Sequence, residues 1–99
     1  MPKIPKKVVI LGETYKVKFL TGLKDNEKVV GGLCDFHSQI IYLNPDASDT
    51  QLFVTFLHEC CHVFLEITGM SQYMNKREVE MFCQTNAYFV MQFIRGFKK

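Results

Sequence analysis

An α+β fold, a small antiparallel β-sheet with two long α-helices, is the architecture this sequence predicts, and three patterns predict it. Between about residues 8 and 43 the apolar residues alternate with polar ones or form short β-branched runs. Two later runs, about 49–68 and about 76–97, repeat their apolar residues at three- and four-residue intervals. Asn44-Pro45-Asp46 divides the halves, because proline has no N–H for a ladder and restrains the residue before it. A chain of 99 residues is expected to form one domain around one core.

Each element follows from local chemistry. Val8, Val9, Ile10 and Leu11, then Gly12-Glu13, then an alternating Thr14-Tyr15-Lys16-Val17-Lys18-Phe19 predict a hairpin with one packed and one wet side. Residues 20–30 hold Thr21-Gly22, Asp25-Asn26 and several lysines, so they read as an irregular connection. Segments 29–36 and 39–43 form a second β pair around His37-Ser38, with Ile40, Ile41, Tyr42 and Leu43 favouring a strand.

Ser48 and Gln51 have capping-box spacing and Asp49 adds an acid to the first turn. A helix is therefore expected over about 49–68, with Gly69 as its C′ residue. Leu52, Phe53, Phe56, Cys60, Val63, Phe64 and Ile67 make its apolar stripe, flanked by Thr55, His58, Glu59, His62 and Glu66. A connection through about Asn75 leads to the second helix. There Val79, Phe82, Cys83, Asn86, Phe89, Val90, Phe93 and Phe97 are expected to face inward, Phe93 and Phe97 being alternatively placed for a dimer contact.

Composition narrows the function. A formal net charge of +2 is too small to imply nucleic acid. The basic residues at the ends, Lys3, Lys6, Lys7, Arg95, Lys98 and Lys99, read as solvated termini. No stretch is long enough to span a membrane, and the apolar part of the N-terminus is shorter than a secretory signal. Cys34, Cys60, Cys61 and Cys83 fit neither a C-x-x-C metal site nor a secreted disulfide framework, so reduced thiols and a cytoplasmic location are expected.

The chemistry concentrates in His58-Glu59-Cys60-Cys61-His62, which takes two of the three histidines in the chain. On a helix His58 and His62 stand one turn apart, so both imidazoles can meet one metal ion with Glu59 beside it. A catalytic zinc takes three protein ligands and leaves a place for water. On the second helix Glu78 precedes Phe82 by four residues and so shares the inward side, while Glu80 points nearly the opposite way. Glu78 is thus the candidate third ligand and Glu80 the next, although Asn75-x-x-Glu78 also has the shape of a capping box.

Glu66 is one further turn along, and three ligands at i, i+4 and i+8 spread over about 12 Å, too far for one ion. Cys60 belongs to the core stripe and Cys61 points away from the histidines, so structural use is expected of both. An oxyanion needs a donor opposite the metal, for which His37, Tyr42, Tyr73 and Tyr88 are available. Tyr73 is preferred because it lies in the connection that could overhang the site. The strand ahead of the motif helix could align an extended peptide if it lies at the sheet edge.

The segment LHECCHVFLEITG resembles the active-site helix of small gluzincin-type peptidases, especially the minimal ImmA/IrrE-like and SprT-like proteins of bacteria, prophages and phages. In those proteins the motif helix precedes one that opens with a glutamate ligand and an aromatic four residues later. Glu78-Val79-Glu80-Met81-Phe82-Cys83 fits that pattern, and the resemblance carries the ligand role onto Glu78. It covers about residues 32–93. It implies a zincin-like metallopeptidase holding Zn2+ through His58, His62 and Glu78, with Glu59 as general base and a protein or peptide substrate. The competing expectation is an inactive, peptidase-like zinc module that regulates a partner by binding it; the longer recognition regions of larger members are absent from the sequence.

Overall fold

Leu11 and Gly12 both adopt positive φ, 48° and 84°, the pairing a type I′ turn needs to match the twist of its strands. They close a hairpin between β1 (Lys7–Ile10) and β2 (Glu13–Phe19), with Ile10 opposite Glu13. The computed structural model describes residues 3–96. Within the expected irregular connection it contains a second small hairpin, β3 (Lys24–Asp25) and β4 (Lys28–Val29), turned by Asn26 and Glu27 at φ 51° and 68°. Two-residue strands of exposed, mostly charged side chains carry no alternation by which a sequence could announce them.

β5 (Gly32–Asp35) and β6 (Ile40–Leu43) pair antiparallel, with Cys34 opposite Ile41 and Gly32 opposite Leu43. β6 also lies parallel to β2, Val17 beside Ile41, and the order across the sheet is β1-β2-β6-β5. The architecture is α+β with two long helices, as expected, but the sheet is mixed rather than purely antiparallel. Alternation marks a strand and its buried face; it says nothing of the direction of the neighbour. The strand immediately before the motif helix is therefore interior, and β5 forms the edge.

The end of β6 is fixed by Asn44, a buried side chain. Its Nδ2 donates to the Val30 carbonyl at 3.3 Å and its Oδ1 accepts from Asp46 N–H at 3.0 Å, while its own N–H reaches the Gly31 carbonyl at 2.8 Å. These bonds tie the entry of β5 to the exit of β6, beside the start of the first helix. That helix, α1 (Asp49–Thr68), is capped by Ser48 Oγ accepting from Gln51 N–H and ends on left-handed Gly69. Phe53, Val54, Phe56, Val63 and Leu65 are buried, and the first four join Tyr15, Val17, Ile41 and Leu43 in the core; Phe64, expected in the stripe, is largely exposed.

A short 3-10 turn, Met70–Tyr73, leads into α2 (Lys76–Arg95), which ends two residues before the expected limit; Phe97 lies outside the described residues. Its orientation differs from the sequence expectation. Cys83 is buried as expected, but Ala87 and Met91 are buried with it, whereas Phe82, Phe89 and Phe93, expected to face inward, are exposed. The helix is turned by about one residue's rotation, roughly 100°, so that the stripe through Cys83, Ala87 and Met91 is buried. Among the described residues no helix is long and apolar enough to cross a membrane.

Leu11 is exposed and gains little from burial, yet sits where a side-chain-bearing residue is strained. Leu11→Asn should stabilise the protein by about 1 kcal/mol, since asparagine tolerates the left-handed region, and the midpoint of urea denaturation should rise accordingly.

Candidate metal centre

His58 and His62 stand on the α1 face that looks past the sheet edge toward α2. Their Nε2 atoms lie 3.1 Å apart. Glu80, near the start of α2, closes the group: its Oε2 is 3.1 Å from His58 Nε2 and its Oε1 2.9 Å from His62 Nε2. The three donors all lie within 4.8 Å of one another. Donors at about 2.0–2.1 Å from a tetrahedral zinc are about 3.3 Å apart, so this triangle needs only a slight expansion to take the ion.

The protonation pattern supports the same reading. His58 Nδ1 is 2.7 Å from Gln84 Oε1, and Gln84 follows Glu80 by one turn of α2. An amide oxygen only accepts, so this contact suits the tautomer with the proton on Nδ1, which leaves the Nε2 lone pair for a metal.

Glu78, the expected third ligand, is elsewhere. Its Oε1 accepts from Asn75 N–H at 2.8 Å and its own N–H donates to Asn75 Oδ1 at 2.8 Å, a reciprocal capping box. The rotation of α2 is the cause: with Cys83 and Ala87 against α1, the position that turns toward the histidines is 80. Tyr73, expected to overhang the site, is 84% exposed and is not among the residues lining the cleft. Glu66 is exposed, and Cys61 is not among the residues lining the cleft. Burial pushes the Cys60 thiol up to about 12, which keeps it protonated.

Glu59 is only 7% exposed. The Cys34 thiol, on the edge strand β5, lies 3.1 Å from Glu59 Oε1 and 3.3 Å from the Glu59 carbonyl, and donates to both. Burial raises the Glu59 pKa, opposed by the Cys34 hydrogen bond and by the two histidines. Burial, chiefly, pushes the Cys34 thiol far above its ordinary value, with the Glu59 charge adding to it, so Cys34 acts as a neutral donor. Gly32, two residues earlier on the same face, lets the strand come this near: a Cβ there would lie 2.8 Å from Thr55 Cγ2 and 2.9 Å from Glu59 Cγ and Oε2.

These groups surround a cleft of about 440 Å³, walled by Gly31, Gly32, Cys34 and Phe36 on one side and by Thr55, His58, Glu59, His62, Glu80 and Gln84 on the other. Sequence reasoning missed Gly32, Cys34 and Gln84. Gly31-Gly32 at the start of a strand was a usable signal, because glycine in a strand often marks the approach of another element. Cys34 shares the face of Gly32 by the two-residue period, and Gln84 follows Glu80 at i+4. Comparison with protein families, with curated proteins and with solved structures returns no match.

The two glutamates separate cleanly by experiment. Glu80→Ala should lower zinc affinity by more than the roughly 10- to 100-fold expected for Gln84→Ala, as measured by competition with a chromophoric chelator. Glu78→Ala should leave that affinity unchanged while costing about 0.5–1 kcal/mol of stability through the lost cap. Equal losses of affinity in the two glutamate variants would contradict the assignment.

Proposed function

We propose that the chain is a zinc-dependent metallopeptidase, with His58, His62 and Glu80 holding the ion. The observation that carries this reading is the convergence of three donors from two helices beside a buried carboxylate, Glu59, at the wall of an open cleft. The resemblance of the H-E-x-x-H helix to small gluzincin-type peptidases supports it. When bound, zinc would polarise a carbonyl and acidify water. Glu59 takes a proton from the attacking water and returns it to the leaving amine, a role suited to a carboxylate whose pKa burial has raised. Cys34 and Gly32 restrict that carboxylate from the strand side, and Gln84 holds His58 in its tautomer.

The substrate on this reading is a protein or peptide in extended form. β5 is an edge of the sheet, and residues 31–34 line the cleft, so an extended segment added beside β5 would run past the donors. A binding module that has lost turnover is the second reading, favoured by one observation: Glu59 Oε1 is already engaged by the Cys34 thiol and the carboxylate is buried.

Glu59→Gln distinguishes the two. With peptides from a digested proteome as substrate and mass spectrometry as readout, the zinc-loaded wild type should generate new termini, and the variant should lose at least about 100-fold of that rate while retaining zinc. A wild type that retains zinc and generates no new termini, on a peptide set it demonstrably binds, would favour the module.

A further inference from the structure

The helix α2 carries two apolar stripes, and the fold uses one. Cys83, Ala87 and Met91 face the core. About 100° away, Phe82, Asn86, Phe89 and Phe93 recur at spacings of four, three and four, the interval of a coiled-coil seam. Between Glu80 and Arg95 the helix has no charged side chain on any face. A solvated helix face normally carries such charges, and their depletion together with aromatic enrichment is the mark of an interface core. The Phe89 and Phe93 rings pack on each other at 6.3 Å, and Phe82 and Val90 continue the surface into an apolar groove shared with Phe64 of α1.

The size of the face fits a second copy of this chain. Phe64, Phe82, Phe89 and Phe93 are 44, 43, 65 and 55% exposed, which at about 200 Å² per ring leaves about 400 Å² of aromatic surface in water. Val90 brings the total toward the roughly 500 Å² of apolar area that each partner contributes to a homodimer interface of standard size. Asn86 sits in the middle of the seam. Its Nδ2 donates to the Phe82 carbonyl at 2.8 Å, which leaves a second amide hydrogen and Oδ1 for another partner. An all-apolar partner would bury those groups unpaired at a cost; a second Asn86 satisfies them reciprocally.

We propose that α2 packs antiparallel on the α2 of a second copy about a two-fold axis near Asn86. That arrangement sets Phe82 opposite the partner's Val90 and brings Glu78 to the level of the partner's Arg95. It also opposes the two helix dipoles. The assembly does not depend on metal at His58, His62 and Glu80, because the histidines are on α1 and Glu80 is on another side of α2.

Sedimentation equilibrium of the whole chain, reduced and with a chelator present, tests this. The wild type should show twice the 11.5 kDa chain mass at concentrations up to about 100 μM. Phe89→Glu should be monomeric with an unchanged far-ultraviolet circular dichroism spectrum, and the milder Phe89→Ala should weaken the dimer at least about tenfold. A wild type that stays monomeric over that range overturns the proposal and leaves the face to a different partner. A dimer whose strength neither variant changes overturns it as well, because association then uses another surface.

Discussion

The approach of the edge strand β5 to α1 at Gly32 is the constraint on which the rest of the site depends. A side chain at that position would collide with both Thr55 and Glu59. Because there is none, Cys34 reaches the Glu59 carboxylate, the carboxylate is withdrawn from water, and the histidines one residue before and three residues after it are presented to the cleft rather than to the sheet. Asn44 secures the same corner from below by tying the residues before Gly32 to the end of β6. Two hydrogen bonds from one buried amide residue thus help position a strand whose only direct neighbour in the sheet, among the described residues, is β6.

The second determinant is the rotation of α2. Two stripes compete for the core on this helix, one of phenylalanines and one running through Cys83, Ala87 and Met91. Burying the phenylalanines would remove more apolar area from water. The fold nevertheless buries the stripe through Cys83, Ala87 and Met91. The same rotation turns Glu80 to the histidines, leaves Glu78 to cap the helix, and puts the aromatic stripe outside. The placement of Glu80 beside the histidines and the exposed aromatic face are therefore two results of one packing choice.

Much of this was legible in the sequence for identifiable reasons. Helix limits were set by Ser48, Gly69 and Asn75, whose capping chemistry is local, so α1 falls at the expected residues and α2 begins at the expected one. The pairing of His58 and His62 followed from the i, i+4 spacing alone. The direction of β6 relative to β2 was not legible, because side-chain alternation is the same in parallel and antiparallel pairs. Glu80 rather than Glu78 lies beside the histidines because the expectation for Glu78 rested on the phenylalanines facing inward, and hydropathy alone does not choose between two apolar stripes on one helix. Gly32 and Cys34 mattered through a contact between residues 27 and 25 positions apart from their partner Glu59, which no local pattern encodes.

Native electrospray mass spectrometry of the zinc-reloaded chain tests the central claim most directly, by counting ions per folded chain in the wild type and in His62→Ala. The account predicts one zinc per wild-type chain and none in the variant at the same charge-state distribution. A wild type that remains folded and takes up no zinc, or a variant that retains it, would contradict the assignment of His58, His62 and Glu80 as a metal centre.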